Sequence, residues 1–223
     1  MTAEQVIRVL VVDDEELVRD GLVAIVGSNP DFEVVGTAAD GEEAVSRVAE
    51  TDPDVVLMDV RMHGLDGLEA TRRLAGSRAR VLVLTTVGLD EVVYEALRAG
   101  ASGFLLKSVP RAQLWAGLHA VAAGDALLAP SITRRLIEAH LASPPDHRDG
   151  SALGLTERQA DVVRLVARGL ANHEIAAELH LAESTVKGYV SEVLARHHLR
   201  DRTQLVVLAY ESGLVRPGAA TQR

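Results

Sequence analysis

At 223 residues, with a net charge of −9 and 48% hydrophobic residues, the chain has room for one or two domains with real cores. It holds no cysteine, which excludes disulfides and thiolate metal ligation. No uncharged apolar run approaches the ~20 residues of a membrane-spanning helix, and Met1 to Gln5 lacks the basic-then-apolar layout of a signal peptide. A cytoplasmic protein without membrane association is expected.

Arg8 to Val12 reads as a first strand and runs into Asp13 and Asp14. Leu17, Val18, Leu22, Ile25 and Val26 then recur at helical spacing. Phe32 to Gly36 reads as a second strand, and Gly41 to Glu50 as a helix carrying Ala44, Val45 and Val48. Val55 to Met58 is a third strand, ending in Asp59, and Val81 to Leu84 a fourth, ending in Thr85. Asp90 to Ala99 reads as a helix with Val92, Val93, Ala96 and Leu97 inward. Gly103 to Leu106 is a fifth strand, ending in Lys107, and Gln113 to Ala123 a further helix. Strands that alternate with helices argue for βα units and a parallel sheet.

Four of these strands end in a polar residue, and ligands of open parallel sheets bind at the carboxyl ends of strands. Three carboxylates gathered there repel one another unless a hard cation sits between them. Mg²⁺ suits such a place, because it prefers oxygen ligands and keeps waters for an incoming phosphate. A lysine and a hydroxyl complete a site able to hold a phosphoryl group. Only Lys107 and Lys187 are lysines; the other 21 basic side chains are arginine. A compact ammonium suits a small site better than a guanidinium fork.

Ser131 to Leu141 reads as one more helix, followed by a connector over 143–150 with two prolines, a glycine and charges. Charge divides there: residues 1–125 carry a net −10 and residues 151–223 a net +1. Thr156 and Gln159 form a capping box, with Leu155 placed to staple onto Ala160. That helix stops at Gly169; Asn172 caps a short helix, His173 to Leu179, and a turn leads into a longer one from Glu183 to about His198. Two helices joined by a tight turn make a helix-turn-helix, whose second helix enters the major groove. Spacing alone slightly favours a generic three-helix bundle.

The motifs at 11–15 (Val-Val-Asp-Asp-Glu), 57–62 (Leu-Met-Asp-Val-Arg-Met), 84–86 (Leu-Thr-Thr) and 103–107 (Gly-Phe-Leu-Leu-Lys) resemble, in order, the receiver domain of two-component response regulators. Leu155-Thr156-x-Arg158, Gly169 to Ala176, Thr185-Val186-Lys187 and Leu199 to Arg202 resemble the DNA-binding domain of LuxR-type regulators. The chain as a whole is similar to the NarL/FixJ class. The resemblance implies a (βα)5 flavodoxin-like doubly wound receiver over 1–125, a linker helix and connector over 126–150, a small all-α helix-turn-helix domain over 151–216 and a tail over 217–223. It implies that Asp59 accepts a phosphoryl group from a sensor histidine kinase. Mg²⁺ would be held by Asp13, Asp14, Asp59 and the backbone carbonyl of Arg61. Lys107 would reach the acceptor, and Thr85 and Phe104 would switch. Ser184, Thr185, Lys187, Gly188, Tyr189 and Ser191 would face double-stranded promoter DNA, bound by a homodimer formed on phosphorylation.

Four residues depart from the family pattern. His63 stands where proline is usual, Ala182 where a serine cap is common, Tyr189 in place of a histidine, and His197 at a usually apolar position. His197 and His198 are adjacent on a helix and point to different faces, which disfavours a metal pair. His173 reads as a solvated surface residue and Trp115 as packing. Other readings are a phosphatase-like hydrolase with an aspartate nucleophile, and a constitutive DNA-binding protein with a vestigial receiver. The hydrolase would carry a second acid two residues after the nucleophile, where this chain has Arg61; no enzyme is expected.

Overall fold

Parallel neighbours need crossover connections, since a tight hairpin can join only antiparallel strands. The computed structural model describes residues 6–86, 90–124 and 153–215, with the backbone alone at 90, 91 and 94. The expected linker helix, connector and C-terminal tail lie outside the described residues. Two compact units divide between residues 127 and 128.

In the first unit, strands β1 (Ile7–Val12), β2 (Phe32–Ala38), β3 (Val55–Asp59), β4 (Arg80–Thr85) and β5 (Gly103–Leu106) form one sheet. Its order is β2-β1-β3-β4-β5, and every pairing is parallel. This is the flavodoxin-like order, whose switch point falls between β1 and β3. Helices α1 (Glu16–Gly27) and α5 (Arg111–Ala123) cover one face. There Val26, Leu114, Leu118 and Val121 pack with Val9, Val11, Leu57, Leu82 and Leu84. Helices α2 (Gly41–Thr51), α3 (Gly67–Leu74) and α4 (Asp90–Arg98) complete the βα alternation.

Not every expected position is inward. Leu17 is 86% exposed and Ile25 is also exposed, whereas Val26 is buried and Val18 and Leu22 are half-buried. Residues 18, 22 and 26 are four apart and stack on one helix face; 17 and 25 precede members of that row by one residue and are rotated ~100° away. The expected helix at 90–99 holds, with Val93, Ala96 and Leu97 buried and Val92 half-buried. Helix α3 was not anticipated. Asp66 caps it by accepting from the Glu69 N–H at 2.8 Å, and Leu68, Ala70, Thr71 and Leu74 are buried.

Glycine is required where α3 begins. The Gly67 N–H donates to the Val60 carbonyl at 3.0 Å. A Cβ at this position would stand 1.8 Å from the Asp59 carbonyl oxygen. The start of α3 is thus pressed against the end of β3.

In the second unit the helices are α6 (Glu157–Ala167), α7 (Asn172–Leu179), α8 (Glu183–Arg196) and α9 (Arg202–Glu211). The expected capping box is present: Thr156 Oγ1 accepts from the Gln159 N–H at 3.2 Å, and Gln159 Oε1 accepts from the Thr156 N–H at 3.1 Å. Helix α8 ends at Arg196, two residues short of expectation, because His198 adopts a left-handed φ of 54°. Asn172 is not the cap of α7 but its first residue, after Ala171. Its side-chain oxygen instead accepts from Arg202 Nη1 at 2.6 Å.

Arg202 is 9% exposed and also donates through Nη2 to the Leu170 carbonyl. It ties the start of α9, a helix the sequence reading did not anticipate, to the turn before α7. Arg202→Met is expected to destabilise the second unit by about 2–3 kcal/mol, since it strips two acceptors of their donor. Urea unfolding followed by circular dichroism measures this.

Candidate functional site

The carboxyl ends of β1, β3, β4 and β5 bring the expected polar residues together. Asp13 and Asp14 follow β1, Asp59 ends β3, Thr85 ends β4 and Lys107 follows β5. One oxygen from each of Asp13, Asp14 and Asp59 lies within 4.8 Å of the others. Asp13 and Asp59 are buried, and Asp14 is partly open. Lys107 Nζ stands 2.7 Å from Asp13 Oδ2 and 3.2 Å from Asp59 Oδ1. The Asp13 contact is a short, charge-assisted one between the ammonium and a buried carboxylate oxygen.

Burial dominates the electrostatics of this pocket. It pushes the Asp59 carboxyl above its ordinary range; Lys107 pulls the other way, and the Asp13 charge adds to the rise. Burial also works against the Lys107 ammonium, but the hydrogen bond and charge of Asp13 and the charge of Asp59 outweigh it and raise its pKa. At Asp14, burial opposes ionisation, while hydrogen bonds from the His63 side chain and backbone outweigh it and hold the carboxyl below the usual value. Lys107 offsets one of three carboxylate charges. An oxygen-rich, net-negative pocket of three clustered carboxylates fits a hard dication.

Thr85 is 2% exposed, and its carbonyl accepts from the Lys107 N–H at 2.8 Å, so the ends of β4 and β5 are tied beside the pocket. Phe104 is 2% exposed on β5, paired in register with Val83. Arg61 is exposed and lines a cleft of about 430 Å³ together with Asp14, Met62, His63 and Asp66. Two contacts were not foreseen. Arg19 Nη1 donates to the Asp13 carbonyl at 2.7 Å. His63 Nδ1 lies 2.7 Å from Asp14 Oδ2, which also accepts from the His63 backbone N–H at 3.2 Å. These partners are 49 residues apart, and nothing local in the sequence pairs them.

In the second unit, helix α8 presents Ser184, Thr185, Lys187, Gly188 and Ser191 as exposed residues, with Tyr189 half-buried. Val186, Val190 and Val193 are buried and Leu194 is half-buried, so the inward stripe is as expected. Ala182 is the N-cap and supplies no side-chain hydrogen bond. Lys187 Nζ pairs with Glu183 Oε1 at 3.4 Å. Glu192 is held from α6, where Gln159 Nε2 donates to it at 2.9 Å, and Arg196 donates to the Gly154 carbonyl at 2.8 Å. His173 is exposed, and Trp115 packs in the receiver unit with its Nε1 donating to the Ile25 carbonyl at 3.1 Å. His197 is half-buried, and its Nε2 has no hydrogen-bond partner among the described residues.

A five-stranded parallel sheet with acids and a lysine at its strand ends, followed by a separate helix-turn-helix unit, defines a receiver-type protein with a DNA-binding module. The family described as response regulator receiver domain matches residues 9–119, and that described as bacterial regulatory proteins, luxR family, matches residues 153–209. The transcriptional regulatory protein LiaR of Bacillus subtilis is 37% identical over 214 residues, covering 94% of this chain and 99% of LiaR. The transcriptional regulatory protein DegU of Brevibacillus brevis is 36% identical over 228 residues, covering 96% of this chain and 97% of DegU. The crystal structure of ChrA, the response regulator of a heme-sensing two-component system, superposes with a TM-score of 0.51 at 32% identity, over 94% of this chain and 98% of ChrA. The chain belongs to the response regulators that join a receiver domain to a LuxR-type DNA-binding domain. Among the described residues, no helix is long and apolar enough to cross a membrane.

Proposed function

We propose that this response regulator controls transcription through phosphorylation of Asp59 by a sensor histidine kinase. The observation that carries the reading is the Lys107 ammonium between buried Asp13 and Asp59 at the strand ends. An Asp59 carboxylate oxygen attacks phosphorus, the bond to the donor imidazole breaks, and an acyl phosphate forms. Lys107 is placed to shift from the free carboxylate to a phosphoryl oxygen. Asp13, Asp14, Asp59 and the Arg61 carbonyl would hold Mg²⁺, which would supply neutralisation of the phosphate charge. Thr85 closes on the phosphoryl oxygen and Phe104 repacks, shifting an equilibrium between two states of the receiver. Residues 1–125 and 151–216 act as separate modules across the 126–150 segment. The protein works in the cytoplasm as a homodimer assembled by phosphorylation. The hydrolase reading is disfavoured because Arg61 stands where its leaving-group acid would be.

DNA recognition falls to the exposed face of α8, with Ser184 and Thr185 near its N-terminus on phosphates and Lys187 on a base edge or phosphate. Tyr189 and Ser191 extend that face. Lys187 is the only basic residue of α8 before Arg196, so neutralisation per copy is small and two copies on paired half-sites are needed. Acetyl phosphate with Mg²⁺ should tighten binding of full-length protein to promoter DNA, read by fluorescence anisotropy. Lys187→Ala should weaken cognate binding about 10-fold and reduce the slope of log affinity against log salt by ~0.9 per copy. Unchanged affinity on phosphorylation, or indifference to Lys187→Ala, would overturn the reading.

A further inference from the structure

We propose that His63 adds an imidazole ligand to the acidic pocket and tilts its cation preference from Mg²⁺ toward borderline transition-metal dications. The inference rests on the reading of the pocket as a divalent-cation site. An all-oxygen pocket suits Mg²⁺, whereas imidazole nitrogen suits Mn²⁺ tolerably and Ni²⁺ or Zn²⁺ strongly. Asp13, Asp14 and Asp59 supply oxygen; His63 changes the donor set.

Three observations carry it. First, His63 Nδ1 stands 2.7 Å from Asp14 Oδ2. Adjacent ligand atoms of an octahedral ion, each ~2.1 Å from it, lie about 3 Å apart. The imidazole and the carboxylate therefore already have nearly the spacing of neighbouring ligands. Second, the His63 backbone N–H holds the same oxygen at 3.2 Å, which keeps the loop after β3 against Asp14 while the imidazole itself is fully exposed. A proline at this position would supply neither the N–H nor the nitrogen ligand. Third, one oxygen from each of Asp13, Asp14 and Asp59 lies within 4.8 Å of the others, so the inner side of the pocket offers oxygen donors to the same ion. Gly64, with a φ of 76°, follows His63 and provides the turn that lets the loop re-aim.

Untagged full-length protein is titrated with Mg²⁺, Mn²⁺ and Ni²⁺ separately, alongside His63→Gln and His63→Pro. The ratio of Ni²⁺ to Mg²⁺ affinity should fall at least ~10-fold in both variants. Pulsed electron paramagnetic resonance of pocket-bound Mn²⁺, identified by its displacement with Mg²⁺ and its loss in Asp13→Asn, should show a coupled ¹⁴N nucleus in the natural protein and none in His63→Gln. Displaceable Mn²⁺ without nitrogen coupling, or an affinity ratio unmoved by either variant, overturns the role of His63 and leaves the carboxylate cation site standing. Failure of Mn²⁺ and Mg²⁺ to bind at all overturns both.

Discussion

Asp59→Asn should reduce labelling by acetyl phosphate to background, while the natural protein gains one phosphoryl group per chain. An amide oxygen is not a nucleophile of the required kind, and no other described carboxylate touches Lys107 except Asp13, which is fully buried. Intact-protein mass spectrometry reads the added mass, and equal labelling of the variant would move the acceptor elsewhere. Chelation of the dication should have the same effect, because three carboxylates otherwise face an incoming phosphate dianion. Misfolding will not account for the loss. Burial raises the Asp59 pKa, so its contribution to stability is fully present below the unfolded-state pKa and disappears as pH rises through the folded-state value. At neutral pH the ionised side chain is therefore a burden that asparagine lacks, and the variant should melt at a higher temperature than the natural protein. Below the unfolded-state pKa that advantage should vanish.

Gly67→Ala is expected to cost about 3 kcal/mol or more and to slow phosphorylation as well. The added Cβ would lie 1.8 Å from the Asp59 carbonyl oxygen, 2.9 Å from its carbon and 3.1 Å from the Val60 Cα. All three obstacles are backbone, so no rotamer change relieves the clash, and either α3 or the end of β3 must move. Movement of β3 carries the Asp59 carboxylate away from Lys107. Gly21→Ala is the matched control: no described heavy atom comes within 4 Å of a Cβ at that position of α1. Alanine there should leave labelling intact and stabilise by roughly 0.5–1 kcal/mol. Urea unfolding and initial labelling rates on both variants separate the two cases, and a harmless Gly67→Ala would show that the β3–α3 junction has slack.

The contrast between these glycines also marks what could be read from sequence. Strands β3 and β4 are buried almost throughout, β1 over its last four residues and β5 over its first two, and each apolar run stops abruptly, so their polar ends, and with them Asp13, Asp59, Thr85 and Lys107, stand out. The valine row 186, 190 and 193 likewise announced which face of α8 turns inward. Helix α3 escaped notice because it is eight residues long, and its start is set by contact with β3 rather than by local pattern. Leu17 fits the loose helical period yet lies one step off the 18-22-26 row, and spacing alone does not separate the two. Asn172 has the chemistry of a cap, but a buried guanidinium from 30 residues away claims its oxygen. The His63–Asp14 contact is of the same kind. Long-range polar pairs leave no periodic trace.

The exposed face of α8 owes almost nothing to the scaffold that carries it. Its anchoring is done by Val186, Val190 and Val193 below and by the Gln159–Glu192 and Arg196–Gly154 contacts to one side, while Ser184, Thr185, Gly188 and Ser191 project outward. Substitutions at such outward positions typically change stability by less than ~0.5 kcal/mol. On the proposed reading, in which this face meets promoter DNA, promoter preference and foldability are nearly independent variables. On that reading a duplicated copy would reach new operator sequences through those few codons without passing through an unfolded ancestor, whereas changes at Arg202 or Gln159 would cost stability whatever DNA the protein bound.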